Sequence, residues 1–189
     1  MPQLTVLVAS TRPGRVGRRI GDWFVARAIA HGGFDRVSLV DLAELALPWY
    51  DEPLPAVEGG YLHPHTKRWS AIVTESDAFA FVMPEYNRGF SAPLKNAIDY
   101  LYREWHDKPV GLVSYGMMSG GLRAAEMIKP VLVAVKMLPI PEPVAIFLRQ
   151  SLDADGNLIA TSGLAAGADE LLDELRRVTE AMASERVPT

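Results

Sequence analysis

Ala78-Phe79-Ala80-Phe81-Val82-Met83, followed at once by Pro84-Glu85-Tyr86-Asn87, decides how this 189-residue chain folds. An apolar run with no polar face belongs to a strand covered on both sides, the situation of parallel sheets sandwiched between helices. Beyond it Leu94, Ile98, Leu101, Tyr102 and Trp105 recur every three or four residues, the spacing of a helix, and Pro93 is tolerated in its first turn. Strand, loop and helix in that order form half of a parallel crossover unit.

The same alternation extends in both directions. Residues 4–9 are a short apolar run, followed by a basic loop and then Val16, Ile20, Trp23, Phe24 and Ala28 at helical spacing. Residues 37–41 read as a second strand and 110–115 as a fourth, with a helix from about residue 119 to 135 that Pro130 is expected to bend or interrupt. A fifth strand is expected within 144–148, after the stiff Pro139-Ile140-Pro141-Glu142-Pro143. Leu164, Ala168, Leu171, Leu175, Val178 and Met182 stripe a final helix. Five strands and five helices in this order predict an α/β, flavodoxin-like three-layer sandwich, its five-stranded parallel sheet ordered 2-1-3-4-5. No repeat or low-complexity linker divides the chain, so 1–189 reads as one domain. Residues 46–65, rich in Pro and Gly, read as a long loop covering a site or a subunit interface.

Composition narrows the function. Half the chain (49%) is hydrophobic and 22% is charged, ample for a core, while a net charge of -4 argues against a nucleic-acid surface. No apolar stretch approaches the ~20 residues of a membrane span, and residues 1–9 run directly into a strand without a basic leader. A cytoplasmic protein with no membrane or nucleic-acid partner is expected. There are no cysteines. Disulfides, thiolate metal sites, iron–sulfur clusters and cysteine nucleophiles are thereby excluded, and with them the low-molecular-weight phosphatases, which also place an anion loop after the first strand. Redox chemistry here has to come from a bound cofactor.

In this topology ligands bind beyond the carboxyl ends of the strands, where the strand order reverses. Three loops at that edge are unusual. Ser10-Thr11-Arg12-Pro13-Gly14-Arg15-Val16-Gly17 leads into a helix whose free N–H groups and positive dipole end suit a phosphate, with hydroxyls and guanidinium groups to grip it. The plainer alternative is a solvated basic turn with Ser or Thr capping the helix. Neither the Walker spacing nor the dinucleotide Gly-x-Gly-x-x-Gly is present. Pro84-Glu85-Tyr86-Asn87-Arg88-Gly89-Phe90-Ser91 offers an aromatic and an amide able to frame a flat heterocycle; alternatively Asn87 makes its own turn and Ser91 caps the next helix. Ser114-Tyr115-Gly116-Met117-Met118-Ser119-Gly120-Gly121 lets backbone approach a ligand closely, or is simply a Gly-rich turn.

Ser-Thr-Arg-Pro-Gly-Arg, then Pro-Glu-Tyr-Asn, then Leu94-Lys95-Asn96-Ala97-Ile98-Asp99 together resemble the NADPH-dependent FMN reductase family, whose members include azoreductase-, chromate-reductase- and quinone-reductase-like enzymes. The likeness runs from about residue 4 to 138 and is most specific over 84–99. It implies bound FMN, NADPH as transient hydride donor, a small-molecule acceptor and a homodimer or homotetramer. It further implies that Ser10, Thr11, Arg12, Arg15, Val16 and Gly17 hold the FMN phosphate. Pro84, Glu85, Tyr86 and Asn87 would border the isoalloxazine ring, joined on its other edge by Ser114, Tyr115 and Gly116. The family's phosphate loop often begins Gly-Ser and carries further Ser and Asn, where this chain has Ala9, Arg15 and Gly17. Arg88 and Phe90 are bulkier than usual after the Asn and would reshape the acceptor pocket.

Other signals are weak. His63-Pro64-His65 has no carboxylate beside it in sequence, and Asp153-Ala154-Asp155-Gly156-Asn157 has Leu164 where a calcium loop needs Glu, so both read as structural. No Ser-His-Asp arrangement stands out. The expected function is two-electron, ping-pong hydride transfer from NADPH through flavin to a small acceptor. No catalytic acid, base or metal ligand is assigned. A single-electron carrier and a binding module for a phosphorylated ligand are the alternatives.

Overall fold

The structure, a computed structural model, describes residues 2–185. In chain order the elements are β1 (Gln3–Val8), α1 (Gly17–His31), β2 (Arg36–Asp41), α2 (Leu42–Leu45), α3 (Pro64–Glu75), β3 (Ala78–Pro84), α4 (Ala92–Asp99), β4 (Pro109–Gly116), α5 (Leu122–Ala134), β5 (Leu138–Pro139), β6 (Val144–Phe147), α6 (Leu148–Ser151) and α7 (Ser162–Glu185). Every strand pairs in parallel, in the order β2-β1-β3-β4-β5, with helices on both faces. This is the flavodoxin-like sandwich.

Strand alternation sorts β3 between the two layers. Ala78, Ala80 and Val82 turn toward Ile20, Phe24 and Ala28 of α1 and Leu171, Leu172 and Leu175 of α7. Phe79, Phe81 and Met83 turn toward the other layer, where Trp69 of α3, Leu94 and Ile98 of α4 and Ile128 of α5 meet them. Small residues on one face and large ones on the other let both layers approach a strand that is buried throughout.

Three expectations need correction. The last sheet position holds two strands: β5 pairs with residues 109–110 and β6 with residues 113–116 of β4. Ile140 N–H still bonds Val110 O at 2.9 Å, but Pro141 and Pro143 beyond it have no N–H to give the ladder, which splits the strand. Pro130 lies inside α5 without interrupting it. And α4 stops at Asp99, although the apolar spacing continues to Trp105; a 3₁₀ turn, Arg103–Trp105, carries on from there. Two indoles take the carbonyls at that helix end, Trp69 Nε1 bonding Ala97 O at 2.8 Å and Trp105 Nε1 bonding Ile98 O at 3.1 Å.

Candidate functional site

The three loops converge where β1 and β3 lie side by side, because the chain leaves β1 on one face of the sheet and enters β3 from the other. The Ala9 N–H donates to Val82 O at 2.9 Å, and Ser91 Oγ donates to Ala9 O at 2.7 Å. Ser91 therefore ties the end of β1 to the start of α4, and its side chain caps nothing.

The first loop turns on Pro13 and Gly14 (φ 70°), with Arg15 N–H bonded to Arg12 O at 3.2 Å. Pro then Gly at the corners is what such a turn demands. Helix α1 begins at Gly17 without a side-chain cap. The N–H groups of its first turn consequently have no partner within the helix. Against that turn lie two buried hydroxyls, Ser10 Oγ and Tyr115 Oη, on residues 0% and 4% exposed; they interact with each other and have no further hydrogen-bond partner among the described residues. A Cβ on Gly17 would sit 2.2 Å from Ser10 Oγ and 2.4 Å from Tyr115 Oη. A buried hydroxyl proton left without an acceptor costs about 1–3 kcal/mol. The Ser10–Tyr115 pair beside an uncapped helix N-terminus makes a seat for an anion.

The loop's other residues divide between exposed positions and framework. Arg15 bonds the fully buried carboxylate of Asp41 at 2.7 Å, and Asp41 Oδ1 accepts the Ala43 N–H at 2.9 Å, capping α2. Val16 packs its side chain onto the α1 cluster. Thr11 and Arg12 are exposed, and Arg12 has no ion-pair partner among the described residues. Asp41 is a site residue that sequence reasoning missed; an acid at a strand's end facing a basic loop was the available signal.

The second loop is a tight hairpin. Tyr86 and Gly89 exchange two hydrogen bonds of 2.9 and 3.0 Å, with Asn87 (φ 51°) and Arg88 (φ 73°) between them. Asn adopts this left-handed backbone readily; Arg does so only at a cost of order 1–3 kcal/mol. Tyr86 stands exposed beside the turn, and buried Pro84 closes β3 in register with Tyr115.

Glu85 joins the second loop to the third. Its carboxylate accepts from Ser119 Oγ at 2.5 Å and from the Arg123 backbone N–H and guanidinium at 3.2 and 3.1 Å, capping α5 from a different loop. Burial works against its charge, but Ser119 and Arg123 together hold the carboxyl below the usual glutamate range. Its own N–H is taken by Tyr115 O at 2.9 Å. Ser114 Oγ is likewise committed, to Gly120 O at 2.9 Å. Gly116 is needed for closeness: a Cβ there would lie 3.1 Å from the Gly121 N. Met117 and Met118 are exposed beside it.

Asn96, inside the Leu94–Asp99 block, has a different task. Its side chain donates to Pro48 O at 2.8 Å and accepts from the Tyr50 N–H at 3.0 Å. Tyr100 Oη adds a 2.9 Å bond to Asp51. The long loop is thereby pinned, with Trp49, 74% exposed, bordering a cavity of about 380 Å³ next to Thr11. His63 and His65 stack at 5.2 Å, and His65 bonds Asp51 at 2.9 Å. Among the described residues no cluster of three metal-ligating side chains occurs. Asp153 closes its own turn on the N–H groups of Asp155 and Asn157.

Residues 2–150 match the family described as NADPH-dependent FMN reductase. An NAD(P)H-dependent FMN reductase of Schizosaccharomyces pombe is 38% identical over 149 residues, 78% of this chain and 74% of that protein. One from a Nectria species is 34% identical over 150 residues, covering 76% and 74%. Among solved structures, an NAD(P)H:(acceptor) oxidoreductase from Paracoccus denitrificans superposes with a TM-score of 0.75 at 22% identity, over 96% of this chain and 99% of that one.

Proposed function

This chain belongs to the NADPH-dependent FMN reductase family, and from that premise we propose which of its residues hold the cofactor and how they serve the reaction. It is an NAD(P)H-dependent FMN oxidoreductase. The observation that carries the assignment of residues is the buried Ser10 hydroxyl, with Tyr115 Oη as its neighbouring polar group, against the uncapped first turn of α1, which fits a terminal phosphate.

Ser10 and the first-turn N–H groups of α1, with Gly17 leaving room, hold the phosphate. Arg12 approaches it from solvent. Arg15 acts through Asp41, keeping the loop in shape. The Tyr86–Gly89 hairpin and the backbone at Gly116 border the ring, and Glu85 clamps these two loops together. Bound FMN supplies the two-electron acceptor and donor that the side chains lack. Tyr86, Met117 and Met118 form an apolar, adaptable rim for a flat nicotinamide or acceptor, and displace water there. Glu85, the only acid in residues 84–91 and 114–121, is occupied by Ser119 and Arg123. A single-electron carrier gains from unpaired acids that repel the fully reduced anion. Their absence from these loops supports two-electron transfer.

The enzyme works as one domain, in the cytoplasm, where NADPH is supplied. No helix among the described residues is long and apolar enough to cross a membrane. Exposed Trp49, Leu54 and Leu62 on the pinned loop support a homo-oligomer. Light scattering at micromolar concentration checks this, and a monomer contradicts it.

Arg12→Ala tests the phosphate assignment. A charge-assisted contact contributes on the order of 1.5–3 kcal/mol, so FMN should bind roughly ten- to hundredfold more weakly. Riboflavin, which has no phosphate, should bind as before. Equal losses for both ligands would remove Arg12 from the site.

A further inference from the structure

We propose that the Tyr115 hydroxyl is the inner ligand of the flavin phosphate and sets the preference for a phosphorylated flavin over riboflavin. The inference rests on the reading that α1 receives the FMN phosphate.

Tyr115 comes from β4, not from the phosphate loop. Alternation along the strand turns its ring toward α1, among the buried apolar side chains of that layer, while Ser114 faces the opposite layer and bonds Gly120 O. Packing alone would be served by Phe. The hydroxyl instead ends 2.4 Å from the place a Gly17 Cβ would take, beside Ser10 Oγ at 2.2 Å. The two hydroxyls, one just past the end of β1 and one on β4, meet at an uncapped helix end; they interact with each other, and the pair still holds a proton with no acceptor. Burial pushes the Tyr115 phenol above its ordinary range, so it stays protonated and donates.

The seat this makes has an inner wall of two hydroxyls and a floor of helix N–H groups. A phosphate monoester brings three free oxygens to it. Riboflavin brings none. Tyr115 also accepts the Glu85 N–H through its carbonyl, so a single residue touches both the phosphate seat and the ring loop.

The test is Tyr115→Phe, with flavins titrated into apoprotein by fluorescence quenching and apoprotein melting followed in parallel. FMN should bind about tenfold or more weakly, the loss expected for one charge-assisted hydrogen bond. Riboflavin affinity should not change. The apoprotein should melt within about 2 °C of wild type, because the change removes one buried hydroxyl and takes from Ser10 Oγ its neighbour. Inorganic phosphate should raise the melting point of wild type more than that of the variant. Weaker FMN binding by an equally stable protein, with riboflavin unaffected, is a combination that a packing role does not produce. FMN affinity within twofold of wild type overturns the proposal, and so does an equal loss for riboflavin. Wild-type apoprotein that binds riboflavin as tightly as FMN would overturn the phosphate reading beneath it, a failure visible before any variant is made.

Discussion

Gly17→Ala is expected to lose FMN affinity by about a hundredfold or more while keeping its fold. Gly17 is the first residue of α1 and has no positive φ, so alanine suits its backbone, and helix propensity favours Ala over Gly by up to about 1 kcal/mol. The harm lies entirely in the space above it. The new methyl would stand 2.2 Å from Ser10 Oγ and 2.4 Å from Tyr115 Oη, both buried, one at the end of a rigid ring. Both hydroxyls must swing away, and the proposed phosphate contacts go with them. Circular dichroism should stay close to wild type and the melting point fall by roughly 2–10 °C, from about 1–3 kcal/mol of overpacking partly offset by helix propensity, while the purified protein comes off the column colourless. A Gly17→Ala protein that binds FMN within threefold of wild type would show that the phosphate sits elsewhere.

Gly121→Ala should have the largest effect on stability. Gly121 precedes α5 in the left-handed region (φ 86°, ψ 4°), and a Cβ there would lie 2.5 Å from Tyr115 N and 2.7 Å from Ser114 Cβ. Neither neighbour is a flexible chain end. Left-handed strain of roughly 1–2 kcal/mol and overpacking of roughly 1–3 kcal/mol together give about 2–5 kcal/mol. At this chain length that lowers the melting point by roughly 5–15 °C. Gly32→Ala is the control, since Gly32 has φ 71° with nothing within 4 Å of the added Cβ. It should lose only the strain. Equal shifts for the two variants would show that the close packing of the third loop on β4 contributes nothing.

The sheet was legible because its signals are local. Residues 78–83 are apolar throughout, as a strand buried on both faces must be, and the order followed from strand–helix alternation. The candidate site was legible as three loops, but the contacts within it were not. Arg15 and Glu85 were assigned to the phosphate and the ring edge through the family resemblance, and sequence showed nothing of what they pair with. Their partners, Asp41 and Arg123, are 26 and 38 residues away, and only the fold brings them together. Tyr115 was placed at the ring's edge with its neighbours. Strand alternation sends its side chain through the sheet's other face to Ser10, and the phase of that alternation is fixed by packing, not by the loop that follows. Asn96 stood in the most recognisable block of the chain, yet its role is to hold Pro48 and Tyr50 of a loop with no periodic signal at all.

The central claim is that this chain passes two electrons from a nicotinamide nucleotide through FMN to a small acceptor. Its most direct test is an anaerobic titration of FMN-loaded protein with NADPH, followed through the visible spectrum. One equivalent per flavin is expected to bleach the oxidised bands in a single phase, without a one-electron-reduced species, and a quinone added afterwards should restore them. Flavin that stays oxidised under excess NADPH, or that accumulates mostly as the one-electron form, would contradict the account.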